Sequence, residues 1–417
     1  MKLSVIIVNH NVRCFLEQCL NTLYKAAASL DMEVFVVDNA SFDDSKIVLP
    51  QKFPQVQFRW NQTNIGFSKA NNSVLREAKG THILFLNPDT IIPENALITC
   101  LDFFKKHPDA GALGVPMIDG HGSYLRESKR GFPSTSNAFW KMTGLSNLFP
   151  NSSFFSGYYA GHIPENKTAS VEVLSGAFFM ITEKMMNRIG GFDSDYFMYG
   201  EDIDLSYRVK KTGFKNYYFS EVTILHFKGE STKRDSPAFK KHFFDAMSIF
   251  IDKHIEGPAI KRKFLHWGVQ FFKKIAFFSA SKIAKTESSI LVGNKEINML
   301  IVANQTHFNE MIQLLKTGPN PICISGRISN MITDTDPCSG HLDHLDEVVK
   351  STHANAILFC ESPELSYYKI IDVMKSNPKI ASFFIHSEFS TSIIGSSFSE
   401  DWSVLPSKVN ESVPVDV

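Results

Sequence analysis

Leu3 to Val8 (LSVIIV) is an almost unbroken apolar run, with the length and make-up of a strand buried on both faces. From 12 to 28 the spacing changes: Phe15, Cys19 and Leu23 recur four apart, which predicts a helix with one apolar face. The two patterns then alternate. Strand-like runs stand at 33–38 (EVFVVD), 56–60 (VQFRW), 82–87 (HILFLN) and 110–118 (AGALGVPMI). A short helix after 38 and helical patterns over about 67–78 and 94–106 separate them. Alternation at this pitch predicts an α/β domain, a mostly parallel sheet with helices on both faces. In such sheets ligands sit at the carboxyl ends of the strands. Those ends are polar here: Asn9-His10-Asn11, Asp38-Asn39, the stretch 61–66, and Asn87-Pro88-Asp89.

The pattern weakens over 119–170, which is rich in Gly, Ser, Asn, Phe and Tyr and reads as a long irregular insertion covering a site. Regular structure resumes with 171–181 (VEVLSGAFFMI), a helix near Met185, the turn Gly190-Gly191, a helix over 201–211, and strand-like runs at 214–219 and 222–227. A second alternation begins near 297. Strands are predicted at 298–303, 321–325, 356–360 and 380–386, with helices ending near 316 and over 342–350 and 363–375. The chain therefore divides into a first domain over 1–257, a linker over 258–294 and a smaller Rossmann-like α/β domain over 295–417. The linker is unusual. Between 258 and 286 it holds seven basic residues (Lys261, Arg262, Lys263, Lys273, Lys274, Lys282, Lys285), no acid, one Trp and five Phe. That mixture fits a segment lying in a membrane interface better than one crossing it.

Composition narrows the class. A chain of 417 residues exceeds one ordinary domain. Lys+Arg and Asp+Glu are both 43, so a globally polybasic nucleic-acid binder is not expected. The six Cys form no CxxC pair, which argues against a zinc cluster or a disulfide scaffold. No signal-peptide pattern precedes Leu3 and no run of 18 uncharged apolar residues occurs, so a cytoplasmic, membrane-attached protein is expected.

Four constellations carry chemistry. Asp38, with Asn39, ends a strand, where a carboxylate can receive hydrogen bonds from a base or ribose or can cap the next helix. In the same constellation Asn64-Ile65-Gly66-Phe67 and Asn71 offer a close backbone approach and side-chain amides, or an ordinary turn. Asp89, held behind Pro88, suits a divalent cation bridging phosphates, or an Asp turn. Glu201, Asp202 and Asp204 open a helix, where acids also favour the dipole. His226 ends a strand, as packed and surface histidines do too.

Taken together, the order VIIVNHN, VVDNAS, NIGFSKANN, LFLNPDT, LSGAFFMI, GGFD, YGEDIDLSYR, HF closely resembles family 2 glycosyltransferases of the GT-A fold. The likeness covers about 3–230 and is nearest the bacterial rhamnosyltransferase-type enzymes of cell-surface polysaccharide assembly. It implies transfer of a sugar, rhamnose from its thymidine-diphosphate form being the first expectation, with inversion, onto a lipid-linked or polysaccharide acceptor at the inner face of the plasma membrane. A catalytically degenerate nucleotide-sugar or partner-binding protein is the alternative. Under the resemblance Asp202 is the base and Glu201 its acceptor-side neighbour. Asn9, Asp38, Asn39, Gly66 and Asn71 lie along the nucleotide. Asp89 and His226 bind Mn²⁺ or Mg²⁺, although Asn87 stands where the family's Asp-x-Asp motif has its first acid. The second domain resembles the nucleotide-binding-like domain of polyprenyl-phosphate sugar-phosphate transferases, but its turn, Ala303 to His307, lacks the glycine of a phosphate cradle. A structural or partner-binding role is expected for it.

Overall fold

The computed structural model describes residues 2–133, 148–149, 152–153, 156–228, 237–287, 297–316, 322–329, 337–388, 390 and 392–395. Parts of the expected insertion, of the linker beyond 287 and of the carboxyl end lie outside these. The chain forms two compact units, 1–295 with 366–379, and 296–365 with 380–417.

The first unit is built on β1 (Leu3–Asn9), β2 (Met32–Asp38), β3 (Gln57–Trp60) and β4 (His82–Leu86), all parallel, in the order β3-β2-β1-β4. Every residue of β1 is buried, as its apolar run predicts. Its side chains alternate between two cores. Leu3, Val5 and Ile7 pack with Leu16, Cys19, Leu20 and Leu23 of α1 (Arg13–Ala26) and with α4 (Ala96–Lys106). Ile6 and Val8 pack on the other face, with Ala70 and Val74 of α3 (Phe67–Leu75) and with α5 (Glu183–Ile189) and α6 (Glu201–Lys211). A further helix, α2 (Ser45–Lys52), follows β2. Helices thus cover both faces.

Two long apolar runs are broken. The stretch 110–118 yields β6 (Ala110–Gly114) and β7 (Met117–Ile118), because Pro116 has no N–H for a ladder. The stretch 171–181 yields the end of β9 (Ala169–Val171), then β10 (Val173–Leu174) after a break at Glu172, and β11 (Phe178–Thr182) after the Ser175-Gly176 turn. β11 runs antiparallel between β4 and β6. β12 (Lys215–Tyr218) and β9 complete an eight-stranded sheet, β3-β2-β1-β4-β11-β6-β12-β9. A second layer pairs β13 (Ile224–His226) with β5 (Thr90–Ile91) and β7. Within the expected insertion, β8 (Lys129–Arg130) pairs with β10. These pairings position the site. Phe178 stands opposite Leu86, and the Asn87 amide donates to the Ala177 carbonyl at 2.9 Å, so Ser175-Gly176-Ala177 runs beside the Asn87-Pro88-Asp89 turn.

Residues 259–287 of the expected linker form a helix, α8 (Ala259–Glu287), which makes a helical hairpin with α7 (Pro237–His254) from the end of the expected first domain. Phe244, Ile251 and Val269 form its core. Although 258–286 holds no acid, α7 supplies two: Asp245 takes Lys273 at 2.9 Å and Asp252 takes His266 at 2.7 Å. Ile260, Phe264 and Trp267 remain 75%, 67% and 65% exposed, and Phe264 and Phe271 stack on either side of Trp267. The side chains of Phe272 and of 275–287 lie outside the described residues. Among the described residues no helix is long and apolar enough to cross a membrane.

The second unit holds the sheet β16-β15-β14-β17-β18-β19. Its strands are β14 (Ile297–Val302), β15 (Ile322–Ser329), β16 (Gly340–His341), β17 (Ala356–Cys360), β18 (Ser382–His386) and β19 (Ile394–Gly395). All pair in parallel except β19. In chain order this is 3-2-1-4-5-6, the order of doubly wound sheets. At the β14 turn Asn304 Oδ1 accepts the His307 amide at 2.9 Å, so a side chain caps the helix there. The helix expected over 363–375 spans Tyr367–Ser376 and packs with the first unit, where Glu94 accepts the amides of Tyr367 and Tyr368.

Candidate active site

The carboxyl ends of β1, β2 and β4, the Ser175-Gly176-Ala177 turn and the start of α6 border one cleft of about 520 Å³. Asn39, Asp89, Glu201, Asp202 and His226 line it. Asn9, Asp38, Gly66 and Asn71 sit one layer back. Asn9 faces Asp38 across the ladder, and its amide donates to Asp38 Oδ2 at 2.7 Å. Asp38 Oδ1 accepts the Ser41 amide at 2.8 Å, so this carboxylate ties a turn rather than capping the helix at Ser45. Asn39 clamps the next loop: its amide donates to Asn64 Oδ1 at 2.9 Å and its Oδ1 accepts from Asn61 and Ile65 at 3.1 Å. Gly66 has φ +84°, and a Cβ there would lie 2.6 Å from the Phe197 carbonyl. Protein backbone therefore demands this glycine. Asn71 donates to the Phe67 carbonyl, within its own helix.

At the end of β4, Thr90 Oγ1 donates to the Asn87 carbonyl at 2.8 Å and fixes the turn. The β5–β13 pairing sets His226 opposite Thr90. His226 Nε2 thereby lies 3.3 Å from Asp89 Oδ1 and 3.4 Å from Asn87 Nδ2. Asp89 Oδ1 is buried and accepts no hydrogen bond among the described residues. An oxygen and an imidazole nitrogen at this separation fit two neighbouring ligands of one divalent cation.

Tyr199 and Gly200 both take positive φ, 68° and 80°, and turn the chain into α6. Gly200 is required, since a Cβ would lie 3.0 Å from Ala246 Cβ. The three acids then separate. Asp204 is fully buried and paired with Arg208 and His254, at 2.6 Å each, a structural use. Asp202 Oδ2 accepts from Arg130 in a short ion pair and from the Gly176 amide at 3.2 Å. Glu201 Oε2 is buried without a hydrogen-bond partner among the described residues. Burial, with the Asp202 charge beside it, pushes the Glu201 carboxyl up to about 8 against the pull of Arg130, so Glu201 carries its proton at neutral pH.

This has a stability consequence. Above the ordinary carboxylate range the unfolded chain releases a proton that folded Glu201 keeps, so stability falls as pH rises from an ordinary glutamate's 4.5 toward about 8. Glu201→Gln removes that term. In thermal melts from pH 5 to 8 the variant should gain on the parent by up to about 1.4 kcal/mol per pH unit. A difference independent of pH would contradict the assignment.

The sequence reading did not anticipate Arg130, Tyr158, Tyr159, Lys228, Phe239 and Phe243, which also line the cleft. They come from the irregular stretch, from just past the end of β13 (Lys228) and from α7, where no local pattern marks a residue for a site. The only sequence signal was the basic run Arg126 to Arg130 (RESKR) inside a polar, aromatic segment.

Residues 4–163 match the family model Glycosyl transferase family 2. This match falls in the first unit, whose sheet with helices on both faces has the GT-A arrangement expected from the motifs. The chain is 29% identical over 264 residues to the N-acetylglucosaminyl-diphospho-decaprenol L-rhamnosyltransferase of Mycobacterium tuberculosis, covering 60% of this chain and 85% of that protein. It is 28% identical over 201 residues to rhamnosyltransferase WbbL of Escherichia coli, covering 46% and 72%. A solved structure of mannosyltransferase PcManGT from Pyrobaculum calidifontis, in complex with GDP-Man and Mn²⁺, is similar over 70% of this chain and 81% of that one, with 17% identity and a TM-score of 0.42. The rhamnosyltransferase-like character expected from the motifs is thus matched among curated proteins.

Proposed function

We propose that the protein is an inverting, divalent-metal-dependent glycosyltransferase that moves rhamnose from a nucleotide diphosphate donor to a hydroxyl of a lipid-linked or polysaccharide acceptor. The observation that carries this is the meeting, in one cleft, of the Asp202 carboxylate with the Asp89–His226 pair. A hydroxyl is a poor nucleophile at neutral pH, and a carboxylate within hydrogen-bond reach can take its proton as the new carbon–oxygen bond forms. Asp89 and His226 would hold Mn²⁺ or Mg²⁺, whose charge offsets that gained by the departing diphosphate. One base facing one leaving group gives a single displacement and inversion. Asn39 lines the nucleotide side of the cleft, and Asn9, Asp38, Gly66 and Asn71 support it. The names of the two rhamnosyltransferase relatives favour rhamnose, and the first names a diphospho-decaprenol acceptor. The second unit is assigned a structural or partner role, since a side chain caps the turn where a phosphate would approach. A thermal-shift panel of nucleotide sugars with Mn²⁺ tests the reading. A nucleoside-diphosphate rhamnose should raise the melting temperature by mass action. No shift from any nucleotide sugar would sink it, and a shift without turnover would favour a degenerate binding protein.

The exposed row Ile260, Phe264 and Trp267, with Lys261 and Lys263 exposed beside it, supports a peripheral contact with the anionic inner face of the plasma membrane. Rings enter the headgroup boundary, and each nearby Lys contributes about 1 kcal/mol. Phe264→Ser with Trp267→Ser should then release the protein from vesicles containing phosphatidylserine, while both proteins bind less at high salt. Equal pelleting of variant and parent would refute the contact.

A further inference from the structure

Asp202 does not stand alone in the cleft. Arg130, the last residue of β8, lies opposite Val173 in the β8–β10 ladder, which carries it to the Ser175-Gly176 turn and the start of α6. Its Nη2 donates to Asp202 Oδ2 and, at 3.3 Å, to the Leu174 carbonyl. Its Nε is buried with no hydrogen-bond partner among the described residues. Both side chains of the pair are nearly enclosed, 12% and 13% exposed. Burial alone would weaken the guanidinium's hold on its proton, but the Asp202 charge reverses this and raises it, so Arg130 stays a cation. Removing one partner of such a pair leaves an uncompensated charge, so the arrangement resists change.

The two oxygens of Asp202 are in different states. Oδ2 takes Arg130 and the Gly176 amide. Among the described residues Oδ1 takes only the Ile203 amide, at 2.8 Å, which leaves it a lone pair.

We propose that Arg130 is a positioning residue for the transfer step: by holding Oδ2 it fixes the rotation of the Asp202 carboxylate and presents Oδ1 to the acceptor hydroxyl. This rests on the reading of Asp202 as the base. The proton passes from the hydroxyl to Oδ1 and the hydroxyl oxygen bonds to the anomeric carbon. The bond from that carbon to the diphosphate oxygen breaks, and the nucleotide leaves with the electron pair. Arg130 keeps its own proton throughout. A freely rotating carboxylate would meet the hydroxyl in the right geometry only part of the time, and misplacement on this scale costs up to about 10²-fold in rate.

The test uses the full chain with Mn²⁺, a nucleoside-diphosphate rhamnose and a short polyprenyl-diphosphate-linked N-acetylglucosamine, measuring kcat and both KM values. Arg130→Met should lower kcat by about 10–100-fold with both KM values within about threefold of the parent. Arg130→Lys, which keeps the charge and one donor, should recover at least about tenfold of that loss. If Arg130→Met melts below the assay temperature, Arg130→Gln, which keeps an N–H toward Oδ2, replaces it and should lose less than about tenfold. A folded Arg130→Met enzyme with kcat within twofold of the parent would overturn the proposal. So would a loss confined to the acceptor KM, or an Arg130→Lys variant no better than Arg130→Met. Asp202→Asn is measured in parallel. If it is inactive while Arg130→Met is normal, only the role of Arg130 falls; if it turns over normally, the base reading falls first.

Discussion

Asp202→Asn is expected to lose transfer by roughly 10²–10⁴-fold while keeping the fold and donor binding. The amide cannot take a proton from the acceptor hydroxyl, yet its oxygen can still accept from Arg130 and the Gly176 amide, the two contacts made by Oδ2. The variant therefore separates proton transfer from packing better than Ala would, since Ala would also take away the oxygen that accepts from Arg130. Asp202→Glu is the companion: it keeps the charge and moves the carboxylate by one methylene, so it should also be slow, with donor affinity unchanged. Stopped assays of product against time, alongside nucleotide binding by calorimetry, check both. Turnover near the parent's in Asp202→Asn would remove Asp202 from the chemistry.

Asp89→Ala and His226→Ala are expected to shift the Mn²⁺ titration of activity to higher concentration and to lower kcat/KM by about 10²-fold or more, since a metal contact to a leaving diphosphate is worth several kcal/mol. Asp89, in the turn after β4, and His226, at the end of β13, are far apart in sequence and are brought to 3.3 Å by the β5–β13 pairing. Among the described residues no group of three metal-binding side chains occurs here, so the account asks two protein ligands to act with the diphosphate. With Asn87 at the first position of the motif, each of the two matters more. Unchanged metal titrations in both variants would make the pair structural.

Much of this site was visible in the residues because its parts sit at strand ends. An apolar run marks the strand, and the first polar residue after it marks the rim, which is how Asn39, Asp89 and His226 stood out. The acids of α6 were visible too, but not their division of labour. Asp204 looks like Glu201 and Asp202 until the fold buries it against Arg208 and His254. Gly66 stood out as a place of close backbone approach, but its approach to Phe197 is a long-range contact that no local pattern encodes. Arg130 was missed for a related reason. Its partner is 72 residues away, and the two-residue ladder joining them is too short to show as alternation. The break at Pro116 could have been read locally, because a missing N–H is a property of that residue alone.

The most direct test of the central claim is a single transfer reaction. The protein, Mn²⁺ and thymidine-diphosphate rhamnose are incubated with a polyprenyl-diphosphate-linked N-acetylglucosamine, and the lipid product is read by mass spectrometry. The account predicts a product heavier by one deoxyhexose in the parent, absent in Asp202→Asn. A parent that binds the donor but gives no glycosylated product, with this or any other nucleotide sugar and acceptor offered, would contradict it.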